Sequence, residues 1–285
     1  MTYGWAILII AVVLSVLFQL GVFSSGNFQP HAQPGSCQVS RTVAGVSLEG
    51  QCNGMLPEYV AGFIPSSSAM SSGYGISDVY ISSNSLIAPQ GTPNAIFTIT
   101  AWVDPTAYGT CNGYCVVPIV SINNQYFAFG IQPGGGLGIH GCGNPDVTTS
   151  GMAIVPFNSW TFISVSYSSS GYYSFQEDAM APYTTSNKGF TINSPGLLIG
   201  SQASCNGATF EGSIANVQIY NVSLAQPEIT ALYDEGIGGA PIRPQNLTGW
   251  WPLNGNANDY SGNNNNGVPS NVIYSSSWES SYTAP

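Results

Sequence analysis

The fold is decided by residues 210–237, FEGSIANVQIYNVSLAQPEITALYDEGI, which join a strand directly to a helix. In the first half, Ala215, Val217 and Ile219 fall on one face of an extended chain and polar or aromatic side chains fall on the other. A period of two is the signature of a strand with one buried face. We therefore expect a long strand that ends near Tyr220.

The second half of this stretch predicts one short helix, near residues 224–235. Ser223 is the expected N-cap, Gln226 occupies the capping-box position, and Pro227 lies in the first turn, where its missing N–H costs little. Gly236 is expected to end the helix. The predicted apolar stripe consists of Ile229, Leu232 and Tyr233.

The middle of the chain reads as short strands separated by Gly, Asn, Ser and Pro. In FTITAWV, residues 97–103, apolar side chains alternate with Thr98, Thr100 and Trp102. This spacing indicates a β-sandwich. In such a sandwich we expect Trp102 and Trp160 to be buried rather than to bind a ligand. Further predicted strands are residues 160–167, 171–176 and 196–200.

The order of these landmarks resembles the laminin-G-like, concanavalin A-like jelly-roll family. The FTITAWV strand, a W-x-x-x-x-V strand starting at Trp160, and F-x-G-x-I-x-x-V-x-I-Y followed by a short helix occur in the family's order, over roughly residues 58–237. The resemblance implies an all-β jelly-roll sandwich and a function in glycan binding or cell adhesion. The sequence does not single out any aromatic residue as carbohydrate-binding.

Residues 247–275 are similar to the hairpin that normally opens such a domain, although here they come last. A circular permutation would let this tail complete a sandwich spanning residues 58–285. The alternative is a truncated second domain. We favour the first, because the residues after Asn246 are too few to bury a separate core.

The N-terminal stretch, MTYGWAILIIAVVLSVLFQLGVF (residues 1–23), has no charged side chain. About 20 such residues form a helix long enough to cross a bilayer. The order Tyr3, Gly4, Trp5 and an aliphatic run resembles the N-terminal helix of archaeal type IV pilin-like proteins. That family's basic leader and glutamate do not precede Met1, so filament assembly stays open, and a cleaved signal peptide is the alternative.

Composition limits the functions that the chain can have. Charged residues make up 6% of it and the formal net charge is -10. Nucleic acid is excluded as a natural partner, because phosphate binding needs clustered Lys and Arg. A surface with so few ionisable groups changes little when carboxylates protonate. Life in acid is one hypothesis, and a hydroxyl- and amide-rich exported surface is the other.

The six cysteines predict disulfides in an exported chain. Sequence proximity suggests Cys37–Cys52 and Cys111–Cys115, which leaves Cys142–Cys205, although other pairings stay open. Zinc is the competing interpretation of CNGYC, but no second ligand pair follows at finger spacing. Residues 24–57 are expected to form a linker and a disulfide-closed collar.

Calcium is the cofactor that the family resemblance suggests, in an Asp-x-Ser-Gly-Asn loop. The matching residues are Asp259 and Asn263, with Asn216 standing where the family often has a second carboxylate. The alternative is that these residues only form turns. No catalytic motif accompanies them: Glu177–Asp178 and Asp234–Glu235 are adjacent pairs, and neighbours on a strand point to opposite faces. We therefore expect no enzyme activity.

Two N-glycosylation sequons begin at Asn221 and Asn246. Together these features predict a single-pass surface protein or pilus subunit with most of its chain outside the cell. Its expected partners are the membrane, glycans or another cell surface, and other copies of itself in a filament. Adhesin, structural filament or envelope subunit, and degraded glycanase all remain open.

Overall fold

The structure is a computed structural model. It describes residues 40–41, 47–48, 56–64, 77–83, 86–89, 91–108, 116–122, 127–141, 144–149, 154–187, 189–191, 196–202 and 209–285. The predicted membrane helix, residues 1–23, and all six cysteines lie outside these ranges, so those expectations stay predictions. Within the ranges described, no helix combines the length and the apolar character needed to cross a bilayer.

The described chain is built almost wholly of strands. In chain order they are β1 (Ser40–Arg41), β2 (Ser47–Leu48), β3 (Val60–Phe63), β4 (Asp78–Ile81), β5 (Phe97–Ala107), β6 (Val117–Ile122), β7 (Ala128–Ile131), β8 (Leu137–Gly141), β9 (Asn144–Thr148), β10 (Thr161–Tyr167), β11 (Tyr172–Glu177), β12 (Tyr183–Ser186), β13 (Leu197–Ile199), β14 (Glu211–Tyr220), β15 (Leu247–Trp251), β16 (Gly267–Ser270) and β17 (Ile273–Ser275). A helix, α1 (Gln226–Asp234), follows β14, and a 3-10 turn, Glu279–Ser281, lies near the C-terminus.

Two antiparallel sheets form the sandwich. The eight-stranded sheet has the order β12-β11-β10-β5-β14-β3-β17, with β15 also paired to β14. The seven-stranded sheet has the order β16-β4-β13-β6-β7-β8-β9. The prediction of an all-β sandwich with one short helix is confirmed.

The main core lies between the two sheets. Phe97 and Ile99 of β5 are fully buried in it. The Phe97 ring meets that of Phe127 edge-on, with ring centroids 5.6 Å apart, a favoured arrangement for aromatic pairs. The alternation predicted for residues 97–103 is therefore correct.

A second core covers the outer face of the eight-stranded sheet. Trp102 and Trp160, both nearly inaccessible, lie in it together with Ile229 and Leu232 of α1. Trp278 closes this core from the C-terminal segment: its ring packs 6.0 Å from that of Trp160, and its carbonyl accepts the Trp160 indole N–H. The predicted burial of Trp102 and Trp160 is confirmed.

A bulge in β14 changes the alternation expected from the sequence. The register of β14 against β5 shifts between Ala215 and Gln218, and Asn216 has φ 49°. Val217 faces the main core, as predicted, but Ala215 lies in the outer core. The prediction that Ala215 and Val217 share a face is wrong, because a bulge inserts one extra residue into the strand.

Helix α1 lies where the sequence predicts it, but its N-cap differs. The N-cap is Ala225, not Ser223, and the carboxylate of Glu228 accepts the Ala225 N–H at 2.7 Å. The same carboxylate pairs with Arg243, which ties the following loop to the helix. Gly236, at φ 77°, directly follows the C-cap, as predicted.

Residues 247–275 place strands in both sheets. β15 pairs with β14 and β17 pairs with β3 in the eight-stranded sheet, whereas β16 pairs with β4 in the other. The Tyr59 N–H also donates to Asn254 Oδ1 at 2.8 Å. The tail thus packs as part of the sandwich, and its origin by circular permutation stays a proposal.

Candidate functional site

Asp259 holds the turn after β15 through its carboxylate. Oδ1 accepts the backbone N–H groups of Trp250 and Ser261, at 3.0 and 2.9 Å. Oδ2 accepts the N–H of Asn265 at 2.9 Å. The Asp259 N–H itself donates to Asn266 Oδ1. Both carboxylate oxygens are therefore engaged by N–H donors from the turn.

The other two predicted calcium ligands are used in different ways. Asn263 acts as a donor: its Nδ2 bonds the carbonyls of Leu247 and Thr248, at 2.9 and 3.0 Å. Asn216 is buried in the outer core, where its Oδ1 accepts the Trp250 indole N–H at 2.7 Å and the Gln218 amide at 3.1 Å.

These contacts already engage the oxygens on which calcium binding would depend. Calcium prefers oxygens that are free to converge on the ion, whereas the oxygens of Asp259 and Asn216 face N–H groups. Trp250 links Asn216 to Asp259: its indole N–H donates to Asn216 and its backbone N–H donates to Asp259. Among the described residues, no group of three His, Cys, Asp or Glu side chains is placed to hold a metal ion. Calcium stays a prediction that titration can test.

The two predicted glycosylation sites lie side by side. Asn246 Nδ2 donates to Asn221 Oδ1 at 3.1 Å, and the Asn221 N–H donates to the Asn246 carbonyl. Asn221 is exposed and Asn246 is half-buried. The structure thus brings both sequons to one spot, between the end of β14 and the start of β15.

The adjacent carboxylates Glu177 and Asp178 do not form a catalytic pair. Glu177 ends β11 and is only 7% exposed; burial, then the neighbouring charge of Asp178, raises its pKa to about 7. Asp178, at φ 45°, turns away and accepts the Phe162 N–H at 2.7 Å. The two side chains thus have separate structural surroundings.

Glu177 lies beneath a loop that the sequence did not single out. Its carboxylate accepts the N–H of Ile154, which opposes the rise in its pKa, and Oε2 has no partner among the described residues. In the same loop, Val155 accepts the Tyr108 hydroxyl at 2.7 Å, and the Asn158 N–H donates to the Pro105 carbonyl at 2.9 Å. These bonds fix the loop against the end of β5.

An aromatic pair lies on this loop. The rings of Tyr108 and Phe157 are 4.0 Å apart and tilted by 40°. Phe157 is 43% exposed and Ile154 is 59% exposed. Gly135, at φ 90°, lies against Tyr108 and Ile154 with no room for a Cβ. We call Tyr108, Ile154, Phe157 and Asn158 the aromatic rim.

Two more carboxyl groups are partly buried. Burial raises the pKa of Asp104, although hydrogen bonds from Ser281 and from the Ser159 backbone oppose the rise. Burial also raises the pKa of Asp78, against a hydrogen bond from Ser201. Arg243, in the loop that follows α1, pairs with Glu228. Hydrogen bonds from hydroxyl and backbone N–H groups thus stabilise these carboxyl groups.

Comparisons with known proteins place this sandwich in a family. The profile of the concanavalin A-like lectin/glucanases superfamily matches residues 77–230, more than half of the chain. No curated protein sequence matches the chain.

Two solved structures have a similar fold. A candidate carbohydrate-binding protein from Bacteroides ovatus is 17% identical, with a TM-score of 0.55, over 77% of this chain. The chain spans 60% of that protein's length. An SAP-like pentraxin from Limulus polyphemus is 15% identical, with a TM-score of 0.51, over 76% of this chain and 94% of the pentraxin. At such identities the likeness concerns the fold, and with the profile match it supports one conclusion: the chain belongs to the concanavalin A-like lectin/glucanase superfamily.

Proposed function

We propose that the sandwich is a lectin-like module that binds carbohydrate. The observation that carries this proposal is the match of residues 77–230 to the lectin/glucanase superfamily. The fold shared with the Bacteroides ovatus protein supports it, because that protein is itself described as a candidate carbohydrate-binding protein. The net charge of -10 favours partners other than polyanions.

The module is proposed to act by binding rather than by catalysis. Glycosidases of the common type place two carboxyl groups on either side of one bond, about 5–9.5 Å apart. Glu177 is buried beneath the loop that carries Ile154 and Phe157 of the aromatic rim. Asp178 accepts the Phe162 N–H. Asp234 and Glu235 lie at the C-terminal end of α1. Neither adjacent pair presents two carboxyls to one substrate bond.

Surface display is the second part of the proposal. The uncharged residues 3–23 would anchor the chain in a membrane or in a pilus, with the sandwich outside the cell. Fractionation of the native cells tests this part: recovery of the full-length chain in the aqueous fraction, without detergent, would contradict membrane anchoring.

A glycan array tests the binding function. The full-length chain, in a detergent that carries no sugar, is applied with calcium and again with EDTA. We expect binding to a defined set of glycans in at least one condition. Absence of binding in both conditions would refute carbohydrate binding and favour the alternative, a structural filament or envelope subunit.

A further inference from the structure

We infer that the aromatic rim, Tyr108, Ile154, Phe157 and Asn158, is the carbohydrate-binding site and that its ligand is a neutral glycan. This inference rests on the proposed function and goes further by naming the surface and the class of sugar. Four observations carry it: which aromatic rings are exposed, how they are held, which polar groups flank them, and which charges lie near.

Exposed aromatic rings are rare among the residues that the structure describes. Among the described residues, Phe157 and Tyr172 are the only aromatic side chains with more than a third of their surface accessible. Tyr172 opens β11, and no other ring lies against it in the described chain. Phe157 packs on Tyr108 instead. With Ile154, which is also exposed, Phe157 forms an apolar patch on one loop, and contiguous exposed apolar patches are a feature of binding surfaces.

The rim is held rigidly beneath this ring. The Tyr108 hydroxyl bonds to the Val155 carbonyl at 2.7 Å, and the Val155 N–H bonds to the Gly135 carbonyl at 3.0 Å. The Ile154 N–H meets the buried carboxylate of Glu177. A surface whose side chains are fixed before the ligand arrives loses little conformational entropy on binding.

Polar groups that suit sugar hydroxyls flank the ring. The exposed side-chain amide of Asn158 directly follows Phe157 in the chain. Its backbone, at φ 52°, adopts the left-handed turn conformation that asparagine tolerates well. An amide can both donate and accept hydrogen bonds. Phe157 and Asn158 together offer one apolar face and one adaptable polar group, the pattern that sugar rings need.

The nearby charges exclude acidic sugars. Glu177 lies close enough to Tyr108 to raise its pKa, after the larger effect of burial, and Asp178 adjoins Glu177. Asp104 accepts the Ser159 N–H from the same loop. The guanidinium of Arg243 is paired with Glu228. Sialic acids, uronic acids and sulfated sugars would therefore place their negative charge beside these carboxyl groups, which is unfavourable.

The test combines a neutral-versus-acidic glycan array with matched variants of the full-length chain. The best neutral hit is titrated against wild type, Phe157→Ala, Asn158→Gly and Tyr172→Ala. Tyr172→Ala is the control, since it removes the only other exposed ring of the described chain. Glycine at position 158 keeps the left-handed backbone while deleting the amide. The urea midpoint of each variant shows whether it is folded.

We expect Phe157→Ala to weaken binding by at least about tenfold, because it removes an aromatic anchor. Asn158→Gly should weaken binding several-fold, and Tyr172→Ala should leave it unchanged. If Phe157→Ala does not fold, the affinity of Asn158→Gly, compared with wild type, decides the test. Unchanged affinity in the folded rim variants would overturn the site while carbohydrate binding stands. Binding restricted to acidic glycans would overturn the ligand class. No binding by wild type would remove the site and the proposed function together.

Discussion

The buried carboxyl of Glu177 should make this protein less stable as the pH rises. We predict that Glu177→Gln stabilises the fold at pH 8 and changes it little at pH 4. Glu177 is 7% exposed, and burial raises its pKa from 4.5 to about 7. Below pH 4.5 the carboxyl is protonated in both the folded and the unfolded chain, so burial carries no charge penalty there.

Between pH 4.5 and 7 the unfolded chain releases this proton while the folded chain keeps it. The folded state binds more protons over that interval, so the free energy of unfolding falls as the pH rises. A rise in pKa from 4.5 to about 7 corresponds to a loss of about 3 kcal/mol by pH 8. The raised pKa values of Asp78, Asp104 and Asp178 add to the loss with the same sign.

Urea unfolding at pH 4, 5.5 and 8 measures this effect. Wild type should lose stability over the series, and Glu177→Gln should lose about 3 kcal/mol less, because a neutral amide has no charge to bury. Glu279→Gln, which removes an exposed carboxylate, is the control and should follow wild type. Equal pH dependence in wild type and Glu177→Gln would refute the reasoning. A further measurement at pH 3 tests the hypothesis that the protein is adapted to acid: a collapse of wild type there would remove it.

Three further changes test other parts of the structure. Trp278→Ala should lower the free energy of unfolding by about 3–5 kcal/mol, since it opens a cavity in the outer core; a change below 1 kcal/mol in urea unfolding would contradict that packing. Asp259→Ala leaves three backbone N–H groups without their acceptor and should cost about 1–3 kcal/mol. If Asp259 only forms the turn, the thermal midpoint of wild type should be equal in calcium and in EDTA, and a rise in calcium would support a metal site instead. In a glycosylating secretory host, Asn221→Gln should remove more glycan mass than Asn246→Gln, because Asn221 is the exposed member of the pair; the reverse result by mass spectrometry would contradict this order.

The strands and the helix could be predicted because local spacing determines them. Alternation in FTITAWV identified the buried face of β5, and the change of period after Tyr220 identified α1. The bulge at Asn216 was missed because its sequence alternates like a regular strand, and only the pairing with β5 reveals the extra residue. β16, GVPS, carries no strand pattern and forms because β4 offers it an edge.

The candidate site was less predictable than the fold. Phe157 lies in a short loop segment, VPFNSW, whose sequence could equally belong to a buried turn. The exposure of Phe157 depends on how this loop packs against Tyr108 and Gly135, which are distant in the sequence. The Asp259 motif did mark a structured turn, but a motif cannot show that its oxygens already accept N–H groups.

The position of the last strands has a consequence for how the chain is made. β3 leaves the ribosome long before β17, its neighbour in the sheet, is synthesised. The bond from Tyr59 to Asn254 alone spans 195 residues. At 5–20 residues per second this gap lasts roughly 10 to 40 seconds. Throughout that interval the apolar edge of β3 that pairs with β17 stays unpaired. A chaperone that binds the nascent chain should therefore improve the yield of folded protein.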